Sequence, residues 1–473
     1  MPLAMHASAP KTRFAPSPTG LLHLGNIRTA LFNYLLARGA NATFLLRIED
    51  TDAARGHEKY AEALQQDMGW LGLVWQEGPQ VGGPHGPYFQ SQRGAEYARY
   101  FATLQQQGRA YRCFCSEHEL EVARKTQLAA GRPPRYSGRC RSLSATDIEQ
   151  RLAAGTPATL RFHVADGALV EFNDKVRGAQ GFRTDDIGDF IIRRSDGSPA
   201  FFFCNAIDDA LMEVGLVMRG EDHLANTPRQ ILLLKALGLP VPEYAHISLV
   251  VGADGSPLSK RHGSRTVQEL RATGYFPEAI VNYLARLGHT YESNSFMDLA
   301  ALAAHFDSAR LGRAPARFDE AQLMHWQHEA VLQLPLAVLW PWMGAAVHAI
   351  VPEAARDAFI DAVRANITVP ADAQRWARII FTDDWTPAHG CSAAVAEAGG
   401  EFFRHALAAL EQHGADFKAF SQHIKGATGA KGKALFLPLR AALSGELDGP
   451  EMVKLLPLMG VARARERLGR YVG

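Results

Sequence analysis

Long hydrophobic runs are missing from this chain of 473 residues. The longest, residues 333–348, falls short of the roughly 18 to 20 residues that cross a bilayer and contains Pro335 and Pro341, so no membrane-spanning helix is expected. Residues 1–10 hold neither an apolar stretch nor a basic leader, which argues against a secretory signal and for a cytoplasmic location. Cysteine is scarce, five in all, too few for a disulfide framework. Charge of one sign is scarce as well: 50 Lys and Arg stand against 49 Asp and Glu, a net charge of +1. A nucleic acid would therefore be held by local patches and not by a global positive field. Neither G-x-G-x-x-G after the first strand nor G-x-x-x-x-G-K-[ST] occurs, so dinucleotide enzymes and P-loop NTPases find no support.

What is present is a globular composition, 47% hydrophobic and 21% charged, long enough for about three domains. Residues 12–15 read as a short buried strand that breaks at Pro16, Ser17, Pro18, Thr19 and Gly20. Ile27, Ala30, Leu31, Tyr34 and Leu35 then recur at helical spacing, from a start near Gly25 to Gly39, which sits where a helix-ending C′ glycine is expected. The apolar run 43–48 suits an inner parallel strand and ends in Glu49, Asp50, Thr51 and Asp52. Strand, helix, strand is a βαβ unit, and in open α/β sheets ligands bind beyond the carboxyl ends of the strands. That rule places Ser17 to Asn26 and Glu49 to Asp52 on one rim, the first candidate site.

From residue 97 to 199 the chain changes character, with polar helical stretches around a cysteine cluster and short strands at 160–164 and 190–193, as expected of an inserted domain. An α/β portion resumes near Ala200, with Val217, Met218 and Arg219, a helix over 228–237 and a strand over 246–251. Beyond about residue 330 the Ala- and Leu-rich pattern is helical throughout. Cys113, Cys115 and Cys140 could form a tetrahedral zinc site given a fourth ligand, or be three buried free thiols. Cys204 and Cys391 read as packing residues.

Two motifs carry the chemistry: P-T-G-L-L-H-L-G-N at residues 18–26 and L-S-K-R at 258–261. The first sets His23 at a helix N-terminus, where free backbone N–H groups and the helix dipole favour phosphate; the second sets Lys260 on a loop. Together they resemble the signatures of class I aminoacyl-tRNA synthetases. With L-R-I-E-D-T-D at 46–52, G-G-P-H-G-P-Y at 82–88, R-G-E-D-H at 219–223, the stretch 227–230, S-K-R-H-G at 259–263 and K-G-K-A-L-F-L-P-L-R-A-A-L at 431–443, the chain resembles bacterial-type glutamyl-tRNA synthetases over nearly its whole length.

The resemblance implies an α/β multidomain fold. Its parts are a Rossmann-type catalytic domain (1–98 and 201–247), an inserted acceptor-binding domain (99–200), an S-K-R loop and stem-contact domain (248–330), and an all-helical anticodon-binding region (331–473). It implies a monomer that takes L-glutamate, ATP with Mg²⁺, and tRNA-Glu, with a structural Zn²⁺. Glutamate is expected against Arg13, Ala15, Ser17, Glu49, Phe201, Asn205 and Arg219. ATP is expected against His23, Gly25, Asn26, Asp222, His246 and Lys260, with His23 and Lys260 catalytic. Zinc is expected on Cys113, Cys115, Tyr136 and Cys140; the position where some relatives carry a histidine ligand is Ser142 here. The residue chemistry agrees, since a dicarboxylic substrate needs cationic partners such as Arg13 and Arg219 and an anion such as Glu49 for its ammonium. A competing reading makes Arg219 a structural ion pair with Asp208 or Asp209.

Two departures stand out. Phe201 replaces a common tyrosine, and Pro257 replaces the first lysine of K-x-S-K-R. Related readings are the paralogue that glutamylates a modified tRNA base, disfavoured by the added helical region, glutaminyl-tRNA synthetase, disfavoured by the absence of a β-barrel half, and a silent tRNA-binding relative. Residues 362–368 are the expected reader of the third anticodon base, through Arg364 or, in a shifted register, Asn366. An asparagine there would relax discrimination against tRNA-Gln.

Overall fold

The computed structural model describes residues 10–51, 57–132, 134–258 and 265–473. Its contacts divide the chain into two units, residues 1–269 with 280–320, and residues 270–279 with 321–473.

The first unit opens with strand β1 (Thr12–Phe14), helix α1 (Leu24–Gly39) and strand β2 (Phe44–Leu46), and β1 and β2 pair in parallel. All six strand residues are buried, as a continuous apolar run requires of an inner parallel strand. Helix α1 buries Leu24, Ile27, Ala30, Leu31 and Leu35 together with Arg28 and Asn33, so its middle is enclosed all round and only Asn26, Arg38 and Gly39 near its two ends are exposed. Gly39 is not the left-handed cap that its position predicts. It is the last helical residue, and Asn41 takes the positive φ of 52°. The glycine is required for another reason: a Cβ on it would collide with the carbonyl oxygen of Ala303, where a methyl group cannot fit.

Helices α2 (His57–Trp70) and α3 (Gly94–Gln106) lead to strand β3 (Ala110–Cys113), helices α4 (Glu117–Ala129) and α5 (Ala145–Ala153), and strand β4 (Thr159–Phe162). Both α4 and α5 start on a serine in a capping box, Ser116 with Glu119 and Ser144 with Asp147, which satisfies first-turn N–H groups reciprocally. After the hairpin β5 (Leu169–Asp174) and β6 (Gly178–Arg183) comes helix α6 (Thr184–Ile187) and strand β7 (Phe190–Arg193), which closes an antiparallel sheet in the order β3-β4-β7.

Helix α7 (Phe201–Leu211), strand β8 (Leu216–Gly220), helix α8 (Thr227–Leu237) and strand β9 (Glu243–Ile247) complete the core of the unit. The strand expected over 246–251 is two, β9 and the two-residue β10 (Val250–Val251). Strands β8 and β9 run parallel, and β5 pairs in parallel with the far edge of β9, so the order is β6-β5-β9-β8. The hairpin β5-β6, lying in sequence inside the changed stretch, thus extends the sheet built by β8 and β9. The amides of Gly215 and Leu216 donate to the carbonyl of Lys11, tying the start of β8 to the start of β1. Strands β1, β2, β8 and β9 all present their carboxyl ends to one cleft, the ligand edge of an open parallel sheet.

The second unit is helical among its described residues, from Glu320–Gln333 to Val461–Gly469. The longest apolar run forms two short helices, Leu336–Met343 with Pro341 inside it and Ala345–His348, separated by Gly344. No helix among the described residues is long and apolar enough to cross a membrane.

Candidate active site

The cleft has a volume of about 620 Å³. From β1 and the turn after it come Arg13, Ala15 and Ser17, from the start of α1 His23, Gly25 and Asn26, and from the end of β2 Glu49. The opposite wall holds Phe201 and Asn205 of α7, Arg219 of β8, and Asp222. The structure brings these sequence-predicted residues onto one surface. Asp52, expected on the same rim, and Ser259, Lys260 and Arg261 of the second motif lie outside the described residues.

Charge in the cleft is arranged in two tiers. Beneath it, Asp209 pairs with Arg13 at 3.2 Å and with Arg47 at 2.8 Å, while Asp208 pairs with Arg93 at 2.6 Å and accepts hydrogen bonds from Tyr97 Oη and Gln90 Nε2. Arg47 also reaches Glu49 at 3.0 Å. These groups are buried, and each charge is matched, as the cost of desolvation demands. Burial pushes the Glu49 carboxyl above its ordinary range despite Arg47, whereas for Asp209 burial is outweighed by Arg13 and Arg47 and the group is held low.

Arg219 is different. The aspartates proposed as its ion-pair partners are taken by Arg13, Arg47 and Arg93, and among the described residues no carboxylate lies within ion-pair distance of it. It is 5% exposed. Its Nη2 donates to Thr227 Oγ1 at 2.9 Å and Gln230 Oε1 at 2.6 Å, its Nε donates to His246 Nε2 at 3.2 Å, and its Nη1 is buried without a partner. Burial lowers its pKa to about 10, so it remains a cation at neutral pH. Gln230 Nε2 in turn donates to Asn205 Oδ1 at 3.0 Å, and Asn205 Nδ2 to Glu49 Oε1 at 2.5 Å. Donors and acceptors alternate without conflict from Arg219 to Glu49, a rigid spacer between one cationic and one anionic end.

His246, expected against ATP, does not line the cleft. It is fully buried beneath Arg219, with Nδ1 2.6 Å from Asp174 Oδ2. Burial is the first reason its pKa is lowered. The cleft wall there is made by Ile247, Ser248 and Leu249 instead. Sequence reading assigned no role to Thr227, Gln230 or Asp174; Thr227 and Gln230 stand three residues apart on α8, a spacing that shares a helix face, while nothing near Asp174 marks it.

At the other end of the cleft His23 is the residue before α1, with extended φ/ψ and no side-chain cap bond. The first intrahelical bond is Ile27 N–H to the His23 carbonyl, so the amides of Gly25 and Asn26 have no helical partner and can meet an anion. His23 Nδ1 is buried without a partner. Phe201 stacks on His223 at a centroid distance of 5.4 Å, a role that a ring without a hydroxyl fills.

In the inserted stretch the sulfur atoms of Cys113, Cys115 and Cys140 all lie within 4.8 Å of one another, with Cys115 and Cys140 at 3.7 Å. Tyr136 Oη is 3.4 Å from Cys113 Sγ and 3.6 Å from Cys115 Sγ, and accepts the Cys140 amide at 2.9 Å. Arg161 covers the Tyr136 ring at 3.9 Å. Tetrahedral thiolates on zinc stand about 3.8 Å apart for a Zn–S bond of about 2.3 Å, so the three thiols and one phenol fit such an ion. Cys204 and Cys391 are buried and free.

Known proteins resemble the chain along nearly its whole length. Residues 10–325 match the model of the catalytic domain of class I tRNA synthetases (E and Q), and residues 335–472 that of an anticodon binding domain. The chain is 60% identical over 468 residues to glutamate–tRNA ligase 2 of Nitrosococcus oceani, covering 99% of each chain. It is 55% identical to glutamate–tRNA ligase 1 of Methylococcus capsulatus, covering 98% of this chain and 99% of that one. A crystal structure of a glutamate tRNA ligase from Elizabethkingia meningosepticum in complex with its amino acid superposes with a TM-score of 0.88 at 28% identity, covering 98% of this chain and 99% of that chain.

Proposed function

Because the chain belongs to the class I tRNA synthetases, and within them to the glutamate–tRNA ligases, we propose that its cleft binds L-glutamate between Arg219 and Glu49 and delivers the α-carboxylate to ATP at the start of α1. The observation that carries this reading is the buried, unpaired Nη1 of Arg219. A desolvated guanidinium with no anion beside it favours a carboxylate ligand strongly. The α-carboxylate must stay free to react, so the side-chain carboxylate is the one that Arg219 takes. Arg13, already paired with Asp209, lends a second positive field to the cleft. Glu49, fixed by Arg47 and Asn205, receives the ammonium.

Adenylation is attack of the α-carboxylate on the α-phosphorus of ATP with loss of pyrophosphate, and it needs charge neutralisation and alignment more than acid–base chemistry. His23, the free amides at Gly25 and Asn26, and Lys260 serve that need, while Asp222 borders the nucleotide. Mg²⁺ enters with the nucleotide phosphates. The acyl group then passes to the terminal 2′-hydroxyl of tRNA, presented by the inserted domain, while the helical unit holds the anticodon. The enzyme acts as a cytoplasmic monomer in this proposal.

A structural Zn²⁺ on Cys113, Cys115, Cys140 and Tyr136 belongs to the same reading, cross-linking strand β3 to the loop after α4. Metal analysis of purified protein should give about one zinc per chain. Cys113→Ser should abolish it, and Tyr136→Phe should retain it less tightly. Protein never exposed to chelator that holds no zinc would remove this part of the proposal.

Arg364 donates to the carbonyls of Val331 and Leu332 at the end of helix Glu320–Gln333 and of Leu334 just beyond it, whereas Asn366 is exposed. That favours the relaxed reading, in which Asn366 faces the third anticodon base. Charging assays with purified tRNA-Glu and tRNA-Gln should show glutamate joined to both and glutamine to neither. Charging of tRNA-Glu alone would refute the relaxed reading, and charging with glutamine would refute the substrate assignment.

A further inference from the structure

Asp174, His246 and Arg219 stand on three adjacent strands. The parallel register of β8 and β9 sets Arg219 directly beside His246, and Asp174 ends β5 on the other side of β9. All three are nearly inaccessible: 2%, 0% and 5% exposed in that order. Asp174 Oδ1 accepts the amides of Val176 at 2.9 Å, Arg177 at 2.8 Å and His246 at 3.2 Å, which fixes the carboxylate and turns Oδ2 to His246 Nδ1 at 2.6 Å. On the far side of the ring Arg219 Nε donates to His246 Nε2 at 3.2 Å. An arginine Nε always carries its hydrogen, so Nε2 must offer a lone pair, and the imidazole proton must sit on Nδ1, facing Asp174. Thr227 closes the circuit: its hydroxyl accepts from Arg219 Nη2 at 2.9 Å and lies 3.1 Å from His246 Nε2, to which it donates.

We propose that Asp174 and His246 are positioning residues for amino-acid recognition: Asp174 holds His246 in the Nδ1–H tautomer, and the Nε2 lone pair anchors the guanidinium of Arg219 with Nη1 turned to the substrate carboxylate. This rests on the reading of Arg219 as the partner of glutamate. With Nε bound to His246 and Nη2 bound to Thr227 and Gln230, the guanidinium plane cannot rotate, and Nη1 is the one nitrogen left without a partner. The lowered pKa of His246, due first to its burial, keeps the ring neutral, as the lone pair requires. Burial works to raise the pKa of Asp174, but the bonds from His246 and from the three amides prevail and hold it ionised.

The alternative is that Asp174 only balances the charge of Arg219, and the two accounts predict opposite signs for Asp174→Asn. The three amides demand an oxygen at the Oδ1 position, so the asparagine Nδ2 takes the place of Oδ2 and donates to His246 Nδ1. The imidazole proton must then move to Nε2, where it meets the Nε–H of Arg219, donor against donor. The logic is that of a carboxylate that orients a histidine by selecting its tautomer. On this account Asp174→Asn raises the KM for glutamate roughly 10- to 100-fold, with the KM for ATP and kcat changed less than about threefold. If charge balance were the whole role, loss of a nearby negative charge would leave the glutamate KM unchanged or lower it.

The single variant His246→Gln supplies the conservative control. Beside Asp174 the glutamine Nε2 donates to Oδ2, which turns its Oε1 to Arg219, so the KM for glutamate should stay within about threefold of the wild-type value. Beside an asparagine the Nδ2 donor draws Oε1 to itself and leaves two donors facing each other at Arg219, so the double variant Asp174→Asn with His246→Gln should stay as impaired as Asp174→Asn. A glutamate KM that does not rise in Asp174→Asn, or that rises as far in His246→Gln, overturns the proposal. Should Asp174→Asn fail to fold, ¹⁵N-histidine spectra of the wild-type chain still decide: a protonated Nδ1 and bare Nε2 on His246 are expected, and the reverse tautomer overturns it. Arg219→Ala measured beside them separates the two levels. If it leaves the glutamate KM unchanged, the reading of Arg219 fails and this proposal with it; if it raises the KM while Asp174→Asn does not, only the positioning role fails.

Discussion

Arg219→Ala is expected to raise the KM for glutamate by about two to three orders of magnitude, with the KM for ATP altered less than about threefold. Breaking a buried, charge-assisted carboxylate–guanidinium contact costs roughly 3 to 5 kcal/mol, and each ~1.4 kcal/mol is tenfold in binding. The contact exists before and during the reaction alike, so its loss appears in KM more than in kcat. Arg219→Lys should recover only part of the loss, because an ammonium cannot keep the bonds to His246, Thr227 and Gln230 and still meet a carboxylate edge-on. Equal rises in both KM values would show instead that Arg219 holds the end of β8 in place and does not select the amino acid.

His23→Ala gives the second large effect. His23 lacks a cap bond and keeps a buried, unpartnered Nδ1 beside the free amides at the start of α1. A group of this kind contributes where charge accumulates on the phosphates, and removing one such donor costs about 10²- to 10³-fold in kcat. Pyrophosphate exchange should fall by that factor while tRNA affinity stays within about twofold, since nothing about the helical unit changes. A loss confined to tRNA affinity would show that His23 is a surface residue of the RNA interface. The equivalent test on Lys260, whose role follows from its motif, should give a loss of similar size.

The rim of the cleft was legible in the sequence because its determinants are local. A buried strand, a proline- and glycine-broken turn and a helix start place His23, Gly25 and Asn26 within a few residues, and the polar end of the next apolar run places Glu49 beside them. The deeper layer was not legible, because it depends on which strands are neighbours. His246 and Arg219 are side by side only through the register of two parallel strands, and Asp174 joins them from a hairpin that sequence places in another region. The same limit explains the ion pairs. Asp208 and Asp209 are adjacent on α7, and only packing decides that Arg13, Arg47 and Arg93 reach them while Arg219 pairs with neither. Gly39 is a smaller case, its residue type understood but its reason misplaced, since the Ala303 carbonyl that excludes a side chain comes from a distant helix.

The arrangement also joins specificity to chemistry. In the proposed site, glutamine would leave Arg219 facing a carboxamide in place of an anion, and a buried charge left unpaired is penalised by more than the contact itself is worth. The most direct measurement is therefore ATP–pyrophosphate exchange by the full chain in the presence of tRNA, with glutamate and glutamine compared side by side. Exchange with glutamate at least about a hundredfold more efficient than with glutamine is the predicted result. Comparable exchange with glutamine would contradict the assignment of Arg219 to a substrate carboxylate, and with it the account of this site.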